Sequence, residues 1–287
     1  MNDKEIRLVM QKTGGATLTR IARQTALYQL RDLFQNQLNI QVRSFQDLKS
    51  SHLKTVVSHW LADNLSVRTI QNSLAHVRSA LAVHDRADYA RSERMSNAAL
   101  GAAGASRNGT HVALKESEMD EVRAGIKDQG IRACFELQQA LGLRAREAIS
   151  SARSLQSWQA DLGRYGHVTV TAGTKGGRPR VVMLADPAAC AEATSAIALA
   201  QVTTEAGAGN LVDSISLRGA CKKYERALAA RGMTGERASH SLRCTFARAQ
   251  FQRYLDAGVD RREALARLSQ DLGHGDGRGR YVAQVYL

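Results

Sequence analysis

The chain has 287 residues, 44% of them hydrophobic, enough for one large or two modest domains with substantial apolar cores. Forty Lys and Arg face 27 Asp and Glu, a net charge of +13 that favours a polyanionic partner, because each neutralised phosphate releases condensed counterions. No run nears the roughly 18 apolar residues of a membrane span, and the opening MNDKEIRLVMQKTGG lacks the apolar core of a secretory signal, so a cytoplasmic protein without a membrane partner is expected.

The excess charge is spread along the chain. Residues 1–110 hold 15 basic against 8 acidic residues (+7), and the remainder holds 25 against 19 (+6). Two basic lobes suit a protein that grips nucleic acid from both sides. Cys134, Cys190, Cys221 and Cys244 are scattered, without the grouping that a disulfide framework or structural zinc requires, and read as reduced thiols. Two prolines and 5% aromatics suit a mainly helical fold.

In chain order, residues 17–90 read as about four amphipathic helices. The first places Leu18, Ile21, Ala22, Ala26, Leu27, Leu30 and Leu33 on or near one stripe. Ser44, with Asp47 three residues on, resembles the N-cap of the next, and Ile70, Leu74, Val77 and Leu81 line a later one. Residues 96–111, rich in Gly, Ala, Ser and Asn, read as an interdomain linker, assigned to 101–112. A second domain begins at Ala113 with two helices, the first capped near Ser117. Then two β-rich runs, 167–171 and 180–184, flank a Thr-Lys-Gly-Gly stretch and signal a hairpin. Helical patterns resume almost to the C-terminus.

Cleaving a phosphodiester without a metal calls for a nucleophile, cations around the phosphoryl oxygens and an acid for the leaving oxygen. No acidic cluster suited to Mg²⁺ is evident, but the second half offers an ordered set of other groups. In Leu141-Gly142-Leu143-Arg144-Ala145-Arg146-Glu147, a glycine ends one helix, and Arg144 and Glu147 share a face of the next. Lys175 sits at the hairpin tip, where it can reach into a groove beside DNA. His240 and Arg243, three apart in His240-Ser241-Leu242-Arg243, share another helical face. Finally, Leu272-Gly273-His274 places a histidine at an exposed Gly-rich bend, followed by Tyr281 and Tyr286.

In this order and rough spacing the elements resemble the tyrosine recombinase (phage integrase) family. The resemblance covers residues 113–287, and LGHGDGRGRY looks like integrases of bacterial integrating elements. It implies a mainly α fold with a small antiparallel β-sheet. A SAM-like helical core-binding domain (1–100) and a tyrosine recombinase catalytic domain (113–287) would form a C-shaped clamp. By the same resemblance Arg144 and Arg243 would clamp the scissile phosphate, with Glu147 in support. Lys175 would be the general acid, His240 would assist proton transfer and His274 would bond a non-bridging oxygen. A tyrosine would attack to form a 3′-phosphotyrosyl link, with no metal, cofactor or ATP. Double-stranded DNA bearing attachment sites, a homotetramer on that DNA, and accessory DNA-bending or directionality factors are the implied partners, in a bacterial cytoplasm.

Two departures stand out. The family's usual gap from the Leu-Gly-His histidine to the nucleophile falls on Ala283, between the two tyrosines. Tyr286 is preferred, because the closing Val-Ala-Gln-Val-Tyr-Leu resembles the family's ending and residues 275–279 can absorb an insertion; Tyr281 is the alternative nucleophile. The sequence also stops one residue after Tyr286 where relatives commonly extend, so a reduced exchange between protomers or a shortened chain is expected. A type IB topoisomerase and a non-catalytic DNA binder descended from a recombinase are the other readings.

Overall fold

The computed structural model describes every residue except Arg107, Ala185 and Ala208. It divides into two compact units, Met1–Ser106 and Arg107–Leu287, each with its own apolar core.

The first unit is helical. Helix α1 (Asp3–Lys12), ahead of the first helix expected from the sequence, starts in a capping box: Glu5 N donates to the Asn2 side chain at 3.0 Å, and Asn2 N donates to Glu5 at 3.1 Å. Helix α2 (Thr17–Asn36) buries Ala26, Leu27, Leu30, Leu33 and Phe34, but Leu18 and Ile21 of the expected stripe are 65% and 46% exposed, and Ala22 is exposed too. At that turn the inward position belongs to Arg23, which donates to Thr13 Oγ1 at 2.5 Å and to the Gly14 carbonyl at 3.2 Å. The Ser44–Asp47 pair closes a turn well before α3 (Ser50–Ala62), whose N-cap position is Lys49. A short side chain bonded three residues along serves an isolated turn as well as a helix start, which is why the pattern misleads. Helix α4 (Val67–Val83), capped by Ser66, buries Ile70, Leu74, Val77 and Leu81 as expected, and α5 (Ala87–Arg91) follows.

The Gly- and Ala-rich stretch is not free chain throughout. Leu100 and Ala102 are buried in the first core, and the Ala102 carbonyl accepts from Gln71 at 2.7 Å. Further along, Gly109 N donates to the Gln284 carbonyl and Val112 N to the Glu236 carbonyl, both in the second unit. Arg107, within the expected linker, lies outside the described residues.

The second unit opens with α6 (Glu116–Gly125) and α7 (Gln129–Leu141). The cap of α6 falls at Lys115 rather than Ser117, because Glu118 accepts from Lys115 N at 2.8 Å. After α8 (Ala145–Ile149) and α9 (Leu155–Tyr165), strands β1 (His167–Val170) and β2 (Arg180–Met183) pair antiparallel, with His167 opposite Met183 and Val170 opposite Arg180. The turn is a nine-residue loop with its own 3₁₀ turn, Lys175–Gly177, wider than a two-residue hairpin turn. Buried Trp158 donates its indole N–H to the Thr169 carbonyl at 2.8 Å and so ties α9 to β1. Among the described residues, five α-helices complete the unit: α10 (Pro187–Ala206), α11 (Leu217–Ala229), α12 (His240–Asp256), α13 (Arg261–Asp271) and α14 (Gly279–Tyr286). Among the described residues the four cysteines are free thiols, Cys134 and Cys244 buried, and no helix is long and apolar enough to cross a membrane.

Candidate active site

Three local devices place the cationic groups. Helix α7 ends at Gly142 in the left-handed region (φ 58°), where a Cβ would run into the Phe246 ring, so only glycine makes this turn without displacing α12. The turn is held from below, since Gln138 donates to the Leu143 carbonyl at 2.9 Å and accepts from Tyr224 Oη at 2.6 Å. Arg144 then stands at the N-cap position of α8, and its backbone N–H donates to Glu147 at 2.8 Å.

Glu147 is fully buried between two guanidiniums, Arg144 at 2.7 Å and Arg180 at 2.8 Å. Burial pushes its carboxyl up, yet the charges of Arg180, Arg243 and Arg144 and the Arg144 N–H outweigh this and hold it below the ordinary value. Arg180, absent from the sequence-based set, also donates through Nε to the Asp271 carbonyl at 2.8 Å and packs against Gly273. Desolvation drops its pKa to about 10. Its sequence signal was phase: Arg180 shares the buried face of β2 with Val182, an unusual place for a cation.

Arg243, on the first turn of α12, is fully buried. Its two terminal nitrogens donate to the Gly142 and Leu272 carbonyls, and its Nε donates to Tyr286 Oη at 3.4 Å. Arg144 approaches the same Leu272 carbonyl at 3.5 Å. The two arginines therefore converge on the turn carrying His274. That turn is fixed by buried Asp271, which accepts from Tyr254 Oη at 2.6 Å and from Met183 N at 3.1 Å. Burial raises the Asp271 carboxyl to about 6.

His274 is half-buried rather than exposed, and its Nε2 lies 3.0 Å from Tyr286 Oη. His240 lies with its ring centroid 5.8 Å from the Tyr286 ring. Burial first, then the surrounding arginines, depress His274 to about 3 and His240 to about 4. Both imidazoles are thus neutral at ordinary pH. Arg144 and Arg180 pair with Glu147, while Arg243 has the Gly142 and Leu272 carbonyls and Tyr286 as its hydrogen-bond partners among the described residues, so the cluster keeps positive charge for an incoming anion.

The expected residues therefore divide clearly. Arg144, Glu147, His240, Arg243, His274 and Tyr286 come together in one cluster. Tyr286 is only 4% exposed and its hydroxyl lies inside the cluster, whereas Tyr281 is 40% exposed and touches it only through its ring, 5.0 Å from that of His274. Lys175 is exposed on the loop between β1 and β2 and makes no described contact with the cluster. Its loop does start nearby: a Cβ on Gly173 would meet the Arg146 carbonyl beside Glu147. His111, also unforeseen, lies with its ring 5.1 Å from that of His240. Among the described residues, no three His, Cys, Asp or Glu side chains gather as metal ligands would.

An integrase family model matches residues 101–249, and a model of the phage integrase N-terminal domain matches residues 2–90. The chain belongs to the integrase family of tyrosine recombinases. It is a tyrosine site-specific recombinase by that membership. The fold agrees with solved members. A lambda integrase tetramer bound to a Holliday junction matches at 15% identity and TM-score 0.64, over 97% of this chain and 74% of that one. The Tn1549 transposon integrase in complex with transposon right end DNA matches at 15% and 0.63, over 98% and 94%. XerH recombinase bound to a palindromic difH substrate matches at 18% and 0.56, over 93% and 76%. None of the curated proteins matches the chain.

Proposed function

We propose that this recombinase cuts and rejoins DNA strands through a 3′-phosphotyrosyl intermediate formed by Tyr286, in integration or excision of a mobile element. The observation that carries the reading is the Tyr286 hydroxyl, held 3.0 Å from His274 Nε2 and 3.4 Å from Arg243 Nε. These two groups are suited to the oxygens of the scissile phosphate, so the nucleophile rests where the phosphate binds. Arg144 and Arg243 supply the charge that a pentavalent phosphorane needs, and Glu147, itself paired with Arg180, holds Arg144 in place. The Tyr286 oxygen bonds to phosphorus, its proton passes to a neutral imidazole, and the 5′ oxygen leaves. Lys175, carried by a loop that starts beside Glu147, is the acid for that oxygen. The phosphodiester bond energy is kept in the covalent link, so rejoining by the reverse attack needs neither ATP nor metal. Strand exchange then takes double-stranded attachment sites and four copies of the chain, with accessory proteins bending the duplex.

The test is covalent trapping. A nicked duplex carrying the sequence that flanks the gene is incubated in EDTA with the wild type, Tyr286→Phe and Tyr281→Phe, and adducts are mapped by peptide mass spectrometry. The expected adduct is lost only with Tyr286→Phe. Loss only with Tyr281→Phe moves the nucleophile, and tight binding with no adduct favours a DNA binder without catalysis.

A further inference from the structure

Taking Tyr286 as the nucleophile, on which this rests, we propose that His274 is the catalytic residue that receives the Tyr286 proton during cleavage and returns it during rejoining.

Among the described residues, the Tyr286 hydroxyl has two hydrogen-bond partners, Arg243 Nε at 3.4 Å and His274 Nε2 at 3.0 Å. A guanidinium only donates, so Arg243 occupies an acceptor position on the oxygen. The hydroxyl is buried and has one proton to give, and His274 Nε2 is the group placed to take it. Tyr286 therefore donates, Nε2 accepts, and the proton of the neutral ring sits on Nδ1. Donor and acceptor of the transfer are already joined before DNA arrives. His240 is placed differently: its ring centroid is 5.8 Å from that of Tyr286, and among the described residues no hydrogen bond joins its side chain to the hydroxyl.

The turn after α13 aims the His274 ring. The Leu272, Gly273 and His274 N–H groups donate to the Leu268, Gln270 and Ser269 carbonyls at 3.0, 2.8 and 2.9 Å. Buried Ser269 closes the far side of the turn, its hydroxyl donating to the Gly275 carbonyl at 2.7 Å. Tyr281 packs edge-on against the imidazole, its ring centroid 5.0 Å away. Exposed and outside the phosphate cluster, Tyr281 thereby steadies the ring that serves Tyr286.

In the step, the Tyr286 Oη–P bond forms, the phenolic proton moves along the existing hydrogen bond to His274 Nε2, and the P–O5′ bond breaks as the leaving oxygen takes a proton from the acid. Nε2 is then a donor, facing the phosphoryl oxygens that the tyrosine oxygen has joined. In rejoining the 5′ hydroxyl attacks phosphorus, and Nε2 gives its proton back to the departing tyrosine oxygen. Arrival of the phosphate makes the transfer feasible. Burial first, then Arg243, Arg144, His240 and Arg180, hold the free imidazole down to about 3. The bound phosphodiester's negative charge offsets the arginines, so His274 becomes a competent base only when substrate is in place.

The experiment is single-turnover cleavage of the nicked flanking-sequence duplex at neutral pH, by proteins carrying tyrosine or 3,5-difluorotyrosine at position 286. Fluorines beside the hydroxyl make the phenol acidic enough to lose its proton without a base. Each phenol is combined with His274, His274→Gln, His274→Asn or His240→Gln. With tyrosine, both His274 variants are expected to cleave about 10²-fold more slowly. With difluorotyrosine the same substitutions should cost less than about tenfold, whereas His240→Gln should cost the same factor with either phenol. The two phenols are compared within one variant, so a loss of stability common to both cancels from the ratio. Equal losses on both phenols for the His274 variants, no loss with tyrosine, or rescue of His240→Gln instead would overturn the assignment. Absence of a wild-type adduct, or an adduct that survives Tyr286→Phe, overturns the nucleophile beneath it.

Discussion

Replacing Glu147 by Gln removes the buried negative charge that pairs with both Arg144 and Arg180, while keeping size and an acceptor for the Arg144 N–H. The carboxylate makes ion pairs of 2.7 and 2.8 Å to Arg144 and Arg180 and has no exposed surface, so solvent screens neither of them well. Breaking a buried pair and leaving the partner charge uncompensated costs about 3–5 kcal/mol, and a domain of this size loses roughly 2–4 °C per kcal/mol. With the amide keeping part of the bonding, the second unit of Glu147→Gln is expected to melt roughly 6–12 °C lower at neutral pH. The pH dependence carries a definite sign. Because the folded carboxyl titrates below its unfolded value, its stabilisation is full above about pH 5 and is lost as pH falls through the folded pKa. The gap between variant and wild type should therefore narrow in acid. Circular-dichroism melts at pH 7 and at stepwise lower pH measure both quantities. A loss under about 2 °C, or a gap that widens in acid, would refute the account of Glu147 as the charge that holds the arginines together.

Two other outcomes follow from the same geometry. Arg144→Ala should reduce cleavage by about 10²–10³-fold with DNA affinity largely retained, and Arg243→Ala should in addition destabilise the fold, since it strips partners from the Gly142 and Leu272 carbonyls. Rapid gel-shift and cleavage assays separate these effects, and normal turnover by Arg144→Ala would remove it from the phosphate clamp. Lys175→Ala should slow cleavage of an ordinary duplex but not of one with a 5′-thio leaving group, which needs less protonation; a lack of rescue takes the acid role away from Lys175.

Local chemistry in the sequence determined much of this protein. Periodic apolar residues specify α4, the Gly142 turn separates α7 from α8, and β-branched runs around a Gly-rich stretch specify the strands, because each depends on neighbours within a few residues. The i, i+3 pairs Arg144–Glu147 and His240–Arg243 were legible for the same reason: helix geometry alone puts each on one face. Tertiary structure decided what no spacing encodes. Leu18 and Ile21 lie on the expected stripe but outside, because burial is settled by what packs against a helix rather than by its own period. Arg180 and His111 reach the cluster from a strand and from a segment that reads as linker, over separations that only folding closes. The two terminal tyrosines look alike in sequence, five residues apart on one helix. Only the packing of α14 against α12 and α13 buries the Tyr286 hydroxyl between His274 and Arg243 and leaves Tyr281 in solvent, since a hydroxyl's environment is set by whatever elements meet around it.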